Sequence, residues 1–109
     1  LDKLIASAID RDAIDNASFI ASASLALARC ECRRGANQSA SDILGRAITA
    51  LEPVIDRMPA PAKIDLAAIF VEAGEPKKAA PLIAELDALG TRRSDFLALK
   101  EDYLKIAAQ

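Results

Sequence analysis

The chain has no histidine and no tryptophan, and its 109 residues include only two valines, four glycines and two cysteines. Without histidine there is neither an imidazole base nor a His-ligated metal site, which removes several of the commonest catalytic designs. Scarce valine set against twenty-four alanines favours helix over sheet at nearly every position and excludes an all-β chain. Long apolar runs are also missing. The longest uncharged stretch, Asn16 to Ala28, is thirteen residues and includes Ser18, Ser22 and Ser24. A spanning helix needs about 20 apolar residues, so no membrane insertion is expected. Asp10, Asp12 and Asp15 precede that stretch where an export signal would carry basic residues. The chain begins at Leu1 and not at Met, which leaves room for a leader or a further domain before it.

Neither half of the chain carries an excess of one charge. Residues 1–54 hold six Lys or Arg against seven Asp or Glu, and residues 55–109 hold eight against nine. That balance argues against a basic arm for nucleic acid and against an acidic tail. Lys77 and Lys78 with Arg92 and Arg93 form a patch too small and too poor in aromatics to bind nucleic acid, and read as solvated turns. Cys30 and Cys32, two apart on one helix, project to different sides and cannot form a disulfide. A reducing, cytoplasmic compartment follows as the expectation. Two thiolates without a second pair make an incomplete metal site, so neither a metal nor another cofactor is expected. The aspartates of residues 10–15 lack the glycine and bidentate glutamate of a calcium loop.

What is present is 52% hydrophobic and 28% charged residues, ample for one folded core. Apolar spacing and punctuation predict six helices joined by short connections. Leu1, Leu4, Ile5, Ala8 and Ile9 mark a first helix over 2–14. Asn16 or Ser18 caps a second, with Ile20, Ala23, Leu27 and Cys30 on one stripe, Arg33 and Arg34 at its negative end, and Gly35 just beyond. Ser39 and Asp42 resemble a weak capping box opening a third helix that Pro53 ends or kinks. A loop bracketed by Pro59 and Pro61 leads to a fourth over 61–73, stopped by Gly74. Pro76 opens a fifth, irregular in its first turn because of Pro81. The sixth spans 92–107, capped by Thr91 or Ser94, and its Phe96, Leu99, Tyr103 and Ile106 pack against the fifth.

A shift of 39 residues superposes Gly35 on Gly74, Leu25 on Ile64, Ala28 on Ala67, Ala40 on Ala79 and Leu44 on Ile83. It also sets Cys30 on Ile69 and Cys32 on Val71, which predicts buried, inert thiols. Within 66–86, Leu66, Ala67, Phe70, Gly74, Ala79 and Ile83 stand at the offsets of the tetratricopeptide repeat, which this unit resembles. Leu27, Ala28, Gly35, Ala40, Leu44, Ala47 and Pro53 carry a weaker match, with Glu31 where an aromatic is usual. The resemblance covers about residues 21–90, and the 39-residue step exceeds the family's usual length of about 34. It implies one all-α domain: units at 21–58 and 60–90, flanked by helices 2–14 and 92–107, stacked as antiparallel pairs in a short right-handed superhelix with a concave face.

In such domains the inner faces of the first helices bind partners. The resemblance assigns that role to Ser22, Leu25, Arg29, Cys32 and Arg33 in one unit and to Pro61, Ile64, Ala68, Val71 and Glu72 in the other. Arg29 and Arg33, four apart, could hold a carboxylate or an acidic peptide. The competing reading, that Arg33 and Arg34 only neutralise a helix end while Arg29 is solvated, is the stronger. Glu31 reads as a solvated helix residue. No nucleophile with its base, phosphate loop or complete metal set is visible, so the expectation is a non-catalytic module that binds a protein or peptide in a groove. The alternative is a structural or self-assembling element, with Leu97 and Leu104 offering a homodimer contact.

Overall fold

The computed structural model describes residues 4–5 and 16–107, apart from the side chain of residue 107. All regular structure among them is helical: α1 (Ala17–Arg33), α2 (Asn37–Leu51), a 3-10 helix (Glu52–Arg57), α3 (Ala60–Glu72), α4 (Pro76–Ala88) and α5 (Ser94–Ala107). The described residues thus hold five α-helices where six were expected. The helix expected over 2–14 lies outside them except for Leu4 and Ile5, which are helical, Ile5 being buried.

Three helix ends follow one chemical rule. Gly35, Gly74 and Gly90 all have positive φ, a region that glycine enters without the Cβ penalty. After α1, the amide of Gly35 donates to the carbonyl of Cys32 and that of Ala36 to Glu31. After α3, Gly74 donates to Val71 and Glu75 to Phe70. After α4, Gly90 donates to Asp87 and Thr91 to Leu86. Each is a Schellman closure that satisfies carbonyls otherwise orphaned at a helix end. The first two are related by the 39-residue shift in both of their hydrogen bonds.

The helix starts were less legible. α2 begins at Asn37 with Ala36 at its N-cap and no side-chain capping bond, so the Ser39 and Asp42 box is not used; Asp42 instead accepts a bond from Gln38. Pro53 does end the α-helix, but the chain tightens into the 3-10 helix and buries Val54 and Met58 in place of the expected loop. In α4 the amide of Lys78 reaches back only three residues to Glu75, and the helix then runs on through the exposed Pro81.

Helix α3 is the centre of the fold. Its run from Leu66 to Val71 is apolar without interruption, so no face of it suits water, and all six residues are buried. It packs on α1, α2, α4 and α5, while α1 meets α2 and α3, and α4 also meets α5. Phe70 and Phe96 are fully enclosed with Leu66, Ile69 and Leu86. α5, expected to pack against the helix before it, lies on α3 as well as α4.

The buried stripe of α1 is Ile20, Ala21, Ser24, Leu25 and Ala28, about one position around the helix from the stripe expected through Ala23, Leu27 and Cys30. Ser24 Oγ is enclosed there without a hydrogen-bond partner among the described residues. The rotation overturns the expectation for the thiols: Cys30 and Cys32 are both exposed. Their counterparts under the 39-residue shift, Ile69 and Val71, are buried because α3 packs on four helices, whereas α1 packs on two among the described residues. Glu31, expected to be solvated, is the more sheltered residue, with 18% of its side chain exposed and an ion pair to Arg34 at 3.4 Å.

Candidate functional site

A cleft of about 150 Å³ opens where α1, α3 and α5 meet. From α1 it receives Leu25 and Arg29, one helical turn apart. From α3 it receives Ile64, Ala68, Val71 and Glu72, which share a face through their spacing of three, four and seven or eight. Six of the ten residues assigned from the sequence therefore line one cavity. Ser22 and Arg33 do not; both are exposed, as are Pro61 and Cys32, which also lie outside it.

Sequence reasoning missed the contribution of α5 and one residue of α3. Asp95, Ala98, Leu99 and Asp102 come from the terminal helix, and Asp65 lies beside Ile64. The signal was present: 95, 98, 99 and 102 follow a helical i, i+3, i+4, i+7 pattern along the edge of the Phe96 and Leu99 stripe. That α5 crosses α3 at this face depends on the tertiary packing.

Arg29 and Arg33 turn to different partners. Nε and Nη2 of Arg29 donate to Oε2 of Glu72 at 2.9 and 2.7 Å, tying α1 to α3 across the edge of the cleft. Arg33 turns back on its own helix and donates to the carbonyl of Arg29 at 3.5 Å. Arg93, beside the cleft, is held by Asp95 through two bonds of 3.2 and 3.1 Å. Neither Asp65 nor Asp102 makes an ion pair among the described residues. Half-buried Asp65 has its carboxyl pushed above the ordinary carboxylate value, first by burial and then by the charge of Asp95, against the opposing pull of Arg93 and Arg29.

The floor is apolar, made by Leu25, Ile64, Ala68, Val71 and Leu99, and the lining contains no hydroxyl, thiol or amine. What it offers chemically is apolar surface edged by four carboxylates and one neutralised guanidinium. Ligand sites for small molecules usually occupy about 300–1,000 Å³, so this cleft suits one or two side chains of a larger partner. Among the described residues no three Cys, Asp or Glu come close enough to hold a metal ion, and no helix is long and apolar enough to cross a membrane. Comparison with known protein families, characterised proteins and solved structures finds no match for this chain.

Proposed function

We propose that the chain is a non-catalytic, tetratricopeptide-like module that binds a segment of a partner protein in the cleft between α1, α3 and α5. The observation that carries this reading is the cleft itself. Two repeat-related helices, α1 and α3, supply Leu25 and Arg29 and Ile64, Ala68, Val71 and Glu72 to one apolar-floored cavity of side-chain size. Rigid helices present this surface ready-made, so little of the protein must be ordered on binding. The helix-pair arrangement also suits a repeat array: α1 packs on α2 and α3, and α3 on α4 and α5.

A photo-crosslinking residue placed at exposed Ala98, in the cleft, and separately at exposed Ala84, on α4, tests the reading in the source cell. A partner protein captured from position 98 and not from 84 is the expected result. Failure to capture from 98, or equal capture from both, would overturn it.

A second reading, self-assembly, is favoured by Leu97 and Leu104, seven apart on one stripe of α5 and 49% and 60% exposed. Sedimentation velocity across a concentration series separates the two: self-assembly gives a dimer that Leu97→Ser with Leu104→Ser dissociates, and the cleft reading gives a monomer throughout.

A further inference from the structure

We propose that the cleft takes a basic side chain: the bound segment inserts a lysine or arginine beside an apolar residue, and it is a basic peptide that docks, not an acidic one. This rests on the peptide-binding reading above and adds the chemistry of the partner. The charges lining the cleft are Asp65, Glu72, Asp95 and Asp102 against Arg29 alone. Glu72 already neutralises Arg29 at 2.7 Å. Asp95 and Arg93 likewise satisfy one another at 3.1 Å. What remains is negative: Asp65 and Asp102, on facing helices, with no cation paired to either among the described residues. An acidic segment would meet two carboxylates without an ion-pair partner and guanidiniums already bonded to Glu72 and Asp95, whereas a cationic one would supply the missing charge.

The apolar floor narrows the occupant further. A bare metal ion needs ligands that converge, and the described carboxylates do not gather in threes. Lysine and arginine carry an apolar stem behind a charged head, which matches Ile64, Ala68 and Leu99 below and Asp65 and Asp102 at the margin. Burial and the charge of Asp95 disfavour the ionised form of half-buried Asp65, against the pull of Arg93 and Arg29, so a cation placed there relieves a cost already present in the free protein.

The test uses a phage-displayed random-peptide library panned on the intact chain and, in parallel, on Ala98→Trp, which fills the cleft with neutral bulk from an exposed position. The expected result is enrichment of peptides with Lys or Arg next to an apolar residue on wild type only. Synthetic copies of those peptides should bind about two- to fivefold more weakly to Asp102→Asn and to Asp65→Asn, and more weakly as salt is raised. Acidic peptides enriched on wild type and lost on Ala98→Trp would overturn the charge inference while leaving the cleft reading intact. No enrichment that depends on Ala98 would overturn both, as would a dimer of the chain that Ala98→Trp dissociates. Circular dichroism on each variant confirms that a loss of binding is not a loss of fold.

Discussion

Replacing glycine by alanine should destabilise this protein at Gly74 and stabilise it at Gly45. A Cβ built on either meets no heavy atom within 4 Å, so crowding drops out and backbone conformation alone decides the sign. Gly74 sits at φ +81° in the closure that ends α3. Holding an L-residue in that region costs about 1–2 kcal/mol. Restricting the unfolded chain offsets about 0.4–1 kcal/mol of this, for a net loss of about 1 kcal/mol. Gly45 lies inside α2 and has no positive φ, so alanine there gains helix propensity worth about 0.5–1 kcal/mol. The two variants should therefore bracket wild type with a separation of about 1.5–2 kcal/mol, each 1 kcal/mol moving Tm by about 4–8 °C in a domain near this size. Urea unfolding followed by circular dichroism reads this directly, with the midpoint shifting and the slope unchanged. Gly74→Ala at or above wild-type stability, or Gly45→Ala below it, would refute the reasoning.

Asp65 carries a pH signature. Because its folded pKa lies above the ordinary value of 3.8, its contribution favours folding below that value and is lost as pH rises through the folded pKa. Asp65→Asn should therefore be increasingly stabilising, relative to wild type, from acid to neutral pH; a stability difference that does not change with pH in thermal melts would contradict the assignment. Cys30 and Cys32 should both react with a thiol reagent in the native protein without denaturant, and protection of either until unfolding would mean that α1 is rotated from the position described. Phe70→Ala, at a site 1% exposed in the central helix, should cost about 3–5 kcal/mol in chemical denaturation, and a loss under about 1 kcal/mol would show that α3 is not central. The Arg29 and Glu72 pair, with side chains 52% and 34% exposed, should give a double-mutant coupling of only about 0.2–1 kcal/mol, making it a device for shaping the cleft edge more than for stability.

Helix class and helix ends were legible because they depend on neighbours in sequence. Gly35, Gly74 and Gly90 could be placed as stops, since a left-handed turn with its two returning hydrogen bonds is a matter of five or six consecutive residues. The side-chain caps were not, because Ser39 competes with no side-chain cap at all and α2 starts two residues before it. The stripe of α1 was misplaced because Ser24 reads as polar and therefore outward, yet it is fully enclosed between alanines and Leu25 that draw that face inward.

Local spacing and capping chemistry are enough to make the chain helical and to place most helix stops, whereas Leu25, Arg29, Ile64, Ala68, Val71 and Glu72 were grouped by the tetratricopeptide resemblance. Long-range packing sets α5 against α3, bringing Asp65, Asp95 and Asp102 to the same cleft, and joins Arg29 to Glu72 forty-three residues away. Those outcomes depend on which helix buries which flank against which neighbour, a long-range competition for apolar contact that no local pattern encodes. The same competition exposes Cys30 and Cys32 while burying Ile69 and Val71: positions related by the 39-residue shift differ in fate because α3 packs on four helices and α1 on two among the described residues.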